Sequence, residues 1–175
     1  FPYTTLFRSR VALTACILFV GLQVDRGNLQ QAVSDNLLKD LGMTTNDYNT
    51  GNTIFYVCFL VAELPSQLIS KALGPDIFIP IQMCAWSIVA MCQAALKGKT
   101  SFFVTRALIG ILEGGFIADL VLWLSYFFTS KELPVRLSWF WTTLSLVQIG
   151  TSLLAFGILR MRGVAGLEGW RWLFL

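Results

Sequence analysis

Histidine is absent from all 175 residues. With it go the commonest zinc ligand and the base of any His-dependent catalytic triad. Charge is sparse as well: Lys, Arg, Asp and Glu make up 13% of the chain, against roughly 25% in soluble domains. The net charge of +3 comes without a basic run, so no nucleic-acid partner is expected. Cys16, Cys58, Cys84 and Cys92 lie in apolar stretches and form no C-x-x-C pair; they read as small hydrophobes packed between helices. Neither a metal nor a cofactor is expected. Lacking ligand clusters and a nucleophile elbow, the chain is a poor candidate for a membrane-embedded enzyme.

What the chain has in abundance is apolar surface. Hydrophobic residues are 55% of it, with 14 Phe and 6 Trp and a mean hydropathy of +0.67. Such a chain is solvated mainly by a lipid bilayer, as an all-α, multi-pass membrane protein. Five segments reach the roughly 20 apolar residues that a spanning helix needs: 11–33, 51–73, 78–96, 102–128 and 139–159. A sixth opens with "WRWLFL" at 170–175, so the chain reads as a fragment that stops inside a hydrophobic segment. Residues 1–9, "FPYTTLFRS", resemble the translation of a sequencing-adapter end and are set apart as an adapter-derived scar, the alternative being a short cytosolic tail. Polar turns separate the spans, and Trp139, Trp141, Trp170 and Trp172 stand at span ends as an aromatic belt would. Orientation stays open: with a cytoplasmic start, Arg10, Lys71, Lys131 and Arg136 are inside while Lys39, Lys97, Lys99, Arg160 and Arg162 are outside.

Three places put polar groups at membrane depth. In "LQVDRGNLQQAV" the first span turns polar, with Asp25, Arg26, Asn28 and three glutamines close together. Each central charge facing lipid would cost about 2.5–3.5 kcal/mol, so either this face lines a water-filled cavity or the span ends near Val24. In "FLVAELPSQLIS" Glu63 and Gln67 share a helix face beside the kinking Pro65. Glu63 is either a proton carrier or a structural hydrogen-bonding group. The third place, "FFVTRALIGILEGGFIADLVLWL", reads as one helix with Arg106, Gly110, Glu113 and Gly114 on one stripe. The glycines allow close helix contact, and the two charges either serve a site or lock helices together. Arg106 is expected to bond the first span or backbone carbonyls, Glu113 to face the cavity, and Asp119 to lie off the stripe near the cytoplasmic mouth.

"DRGN", "FLVAELPSQLISKALGPD", "RALIGILEGGF" and "RMRGVAGLEGWRWLF", in that order, resemble the major facilitator superfamily. More narrowly they resemble its fungal anion:cation symporter branch, the allantoate permease-like group. The chain departs from the superfamily after Gly74 and Asp76, where "IFIP" replaces a basic cluster. The fifth span contains no proline, unlike the drug:proton antiporter branches. The resemblance implies five helices and the start of a sixth from an N-terminal six-helix bundle, partnered by a C-terminal bundle beyond this chain. It further implies a plasma-membrane transporter that takes up a small organic anion, a carboxylate or ureide acid, together with a proton. Arg26, Asn28 and Arg106 would then bind substrate, and Asp25, Glu63, Gln67 and Glu113 would couple protons or line the cavity. A chain lacking half the cavity could also be inactive by itself.

Overall fold

Local chemistry marks the helix ends. The computed structural model describes the backbone of residues 2–129 and 131–175, and their side chains apart from 2–7, 140 and 165. Most side chains of the expected scar therefore lie outside the described residues. Helix α1 runs over Pro2–Ser34, followed by the short α2 (Leu37–Asp40). Helix α3 (Thr45–Leu73) is opened by Thr44, whose hydroxyl accepts from the Asp47 amide at 3.2 Å while Asp47 accepts from the Thr44 amide at 2.8 Å. This reciprocal cap satisfies two amides that the first turn would leave free. Gly74 then takes φ +89° and hands the chain to Pro75 at the start of α4 (Pro75–Cys92). After a 3-10 turn (Gln93–Ala95) come α5 (Lys99–Glu113), α6 (Phe116–Ser125) and α7 (Leu133–Leu159).

Two sequence expectations change here. The first helix is continuous through Ser34, so the residues after Val24 are helical and not an external loop. That helix begins at Pro2. The fourth span is two helices. Gly114 is extended (φ −59°, ψ 126°) and Gly115 is left-handed (φ +84°), a conformation that favours glycine. Gln82 of α4 braces the break, its amide donating to the carbonyls of Leu112 at 2.7 Å and Gly114 at 3.1 Å.

Four helices among the described residues are long and apolar enough to cross a membrane: Thr45–Leu73, Pro75–Ala95, Lys99–Ser125 and Leu133–Leu159. They expose large side chains such as Leu60, Leu64 and Leu68 on α3 and Leu146, Leu153 and Leu154 on α7. In water that surface would aggregate, whereas lipid solvates it. The sixth segment is a 3-10 turn, Gly169–Leu173, tied down by Arg171, which donates to the carbonyls of Ala94 at 2.7 Å and Leu96 at 3.2 Å. Trp170 is not in the aromatic belt: it is buried, with its indole N–H bonded to Asp40 at 2.8 Å.

The core is apolar at both ends and charged between. Val11, Ala15, Phe19 and Leu22 pack with Trp86, Phe116 and Leu120 in one cluster. Leu29 and Ala32 pack with Leu37, Phe102 and Trp170 in the other. Along α1 the gap between Leu22 and Leu29 holds Asp25 and Arg26. That gap is where the site lies.

Candidate functional site

The closest helix contact in the bundle positions the site. Helices α3 and α5 pack so tightly that a Cβ on Gly110 would stand 2.5 Å from the Phe55 carbonyl oxygen. One on Gly114 would meet Ala62 and the Phe59 carbonyl oxygen at 2.9 Å. No side chain fits there, and the approach brings Glu113 on α5 up to α1. Arg26 Nε donates to Glu113 Oε2 at 2.8 Å, with the carboxylate fully buried and the guanidinium one-third exposed. The Arg26 guanidinium also lies 5.7 Å and 5.5 Å from the ring centres of Phe55 and Phe59, within the range of cation–π attraction. The second carboxylate oxygen, Oε1, is buried without a hydrogen-bond partner among the described residues.

Arg106 sits about one helical layer away. Sequence spacing points it at the first span or backbone carbonyls; the structure instead has it donating to the Gln93 side chain. The tight α4–α5 turn explains the difference, because it brings Gln93 alongside the first turns of α5. Arg106 further lies 6.0 Å from the Phe55 ring centre and 5.6 Å from that of Phe102. Asp25 is within electrostatic reach of Arg106, Arg26 and Glu113. The result is a balanced quartet of two carboxyls and two guanidiniums, held between two apolar clusters.

A cavity of about 320 Å³ opens beside this quartet, lined by Gln23, Arg26, Gln30, Tyr48, Asn52, Phe55, Arg106, Gln148 and Thr151, among others. Both arginines reach it, and the rest of its wall is rich in amides and hydroxyls. Glu113, expected to face the cavity, does not line it and reaches it only through Arg26; Asp25 and three further expected residues do not line it either. Asn28 is two residues from Arg26, hence on the far side of α1, where its amide donates to the Leu173 carbonyl at 2.7 Å. Glu63 and Gln67 make no hydrogen bond or ion pair among the described residues and do not line the cavity. Asp119 does not line the cavity, and it is buried to 1% exposure. The break at Gly114 and Gly115 resets the helical phase, so stripe arithmetic fails beyond Glu113. Sequence reasoning also missed Gln93, Gln148, Thr151 and Ser152, whose roles depend on tertiary neighbours.

No family model matches the chain. Similar proteins exist, however, among them proteins named as transporters. An uncharacterized transporter of Saccharomyces cerevisiae is 48% identical over 166 residues, 95% of this chain and 31% of the relative. A protein of Agrobacterium vitis named for tartrate transport is 31% identical over 166 residues, 95% of this chain and 37% of its own. An MFS-type transporter of Hormonema carpetanum is 31% identical over 163 residues, 93% of this chain and 32% of its own. The fold is the N-terminal part of a major facilitator superfamily bundle. Four apolar helices and these relatives together make the chain part of a multi-pass integral membrane protein. It spans about a third of the length of these three relatives.

Proposed function

We propose that this chain supplies one half of the substrate path in a secondary transporter that takes up a small organic anion with a proton, across the plasma membrane. The observation carrying the proposal is the Arg26–Glu113 pair at the edge of a polar cavity. With Glu113 ionised, two carboxylates offset two guanidiniums and an incoming anion meets no net positive charge. A proton on Glu113 Oε1 cancels one carboxylate and leaves the guanidinium of Arg26 free to grip the anion. Arginine suits that task because its planar fork can meet a carboxylate with two parallel hydrogen bonds. Arg106, fixed by Gln93 and two aromatic rings, is the second positive group for a substrate of two acidic or hydroxylated ends. The relative named for tartrate transport supports this class of anion, and an allantoate-like ureide acid fits the same chemistry. The C-terminal bundle would close the cavity and rock against this one.

The reading is tested with the full-length protein in proteoliposomes, supplied with labelled tartrate or allantoate. An inward proton gradient should drive accumulation of one of them, and Arg26→Lys should raise KM about tenfold or more while membrane abundance holds. Accumulation indifferent to the proton gradient, or an unchanged KM in Arg26→Lys, would remove the pair from the mechanism.

A further inference from the structure

Asp119 has no part in the cavity just described. It stands in the first turn of α6 with 1% exposure, and both of its carboxylate oxygens are buried without a hydrogen-bond partner among the described residues. Its polar neighbours are two serines of α3, Ser66 and Ser70, whose hydroxyls face it. The Ser70 hydroxyl is itself buried and unpartnered. The charged side chains on the surrounding helices are Arg8, Arg10, Asp25 and Arg26 on α1, Asp47, Glu63 and Lys71 on α3, Asp76 on α4, and Lys99, Arg106 and Glu113 on α5. None forms an ion pair or hydrogen bond with Asp119 among the described residues. An ionised carboxylate so placed, inside a span and without a cation, is strongly disfavoured. The occupant that such a lone carboxyl needs is a proton.

Position gives that proton a purpose. Asp119 is six residues beyond Glu113, in the next helix. Four residues further, the Trp123 indole N–H donates to Asp76 at the α3–α4 turn. The cavity, by contrast, is bordered by Gln31 and Tyr48 near the α1–α3 connection, at the opposite end of the bundle. Between Glu113 and Asp119 lies the Gly114–Gly115 break, where the chain can turn without bending a continuous helix. We infer that Asp119 is a second proton-holding group, which takes the proton on from Glu113 and releases it at the face carrying the α3–α4 turn. The transfer balances simply: the O–H bond at Glu113 breaks, one forms at Asp119, and the proton later leaves to water. This inference rests on the proton-coupled reading above.

Two measurements on the full-length protein test it. In proteoliposomes, Asp119→Asn should lose accumulation driven by a proton gradient, although the carboxamide has nearly the same shape and substrate exchange at equal pH continues. Wild-type gradient dependence in this variant would overturn the inference and leave the Arg26–Glu113 reading intact; a wild type without proton-driven accumulation sinks that reading first. The second measurement needs no variant and no transport. Dicyclohexylcarbodiimide, which attacks protonated carboxyls in apolar surroundings, should label Asp119 in the membrane-embedded wild type, as read by peptide mass mapping. The label should fade as the buffer becomes alkaline, because a relay group exchanges with water. A label independent of pH marks a permanently neutral structural acid, and no label marks an ionised one; either result overturns the relay.

Discussion

Two halves of one apolar run, α5 and α6, bury carboxyl groups in opposite ways. Glu113, at the end of α5, meets Arg26 at 2.8 Å inside a balanced quartet. Asp119, at the start of α6, has two neutral serines and no cation. The helix is interrupted between them, and the cavity lies beside the first and not the second. Burial alone therefore does not define a site in this fold. What sets the two carboxyls apart is whether the charge is compensated, and that decides how each responds when its partner or its proton is removed.

Removing the compensation should have the largest effect. Arg26→Gln leaves Glu113 buried and unpaired, a loss of about 3–5 kcal/mol when one partner of a buried pair is deleted. Thermal unfolding in detergent would show it as a clear fall in Tm, whereas Asp119→Asn should leave Tm unchanged or raise it. Equal losses in the two variants would erase the distinction drawn here. Next in size is Gly110→Ala. Its new Cβ would stand 2.5 Å from a backbone oxygen of α3, and forcing the helices apart should cost about 1–3 kcal/mol. Membrane abundance should fall with it, since the same contact holds Glu113 against α1. Smaller again is Lys99→Ala, which breaks a pair to Asp47 at 2.7 Å with the lysine half exposed; solvent screens such pairs, so the fall in Tm should be slight. The smallest change should follow deletion of residues 1–9, where the described losses are the contacts of Arg8 with Glu132, with the Phe127 carbonyl at 2.9 Å and with the Phe128 ring.

Much of this architecture was legible in the residues. Four long apolar helices follow from apolar length, and the polar second half of α1 supplies Gln23, Arg26 and Gln30 to the cavity wall. The stripe from Arg106 to Glu113 holds because α5 keeps one helical phase over those eight residues. Past Glu113 the same arithmetic fails: a Gly-Gly pair in an apolar run can mean close packing or a break, and here Gly114 gives contact while Gly115 turns the chain. Gln93 and Gln82 look like stray amides in sequence, because their partners belong to other helices. Asn28 belonged to a motif yet faces the sixth segment, since two residues of helix reverse its direction from Arg26. Pairings across helices are set by the fold, and one sequence read along its own length does not contain them.

The most direct test of the account is gradient-driven uptake by Glu113→Gln in the full-length protein, compared with exchange at equal pH. Glutamine copies the protonated acid and cannot release a proton. The account predicts that uptake against a concentration gradient disappears while labelled substrate still exchanges across the membrane. Accumulation that follows the proton gradient as in the wild type would contradict it.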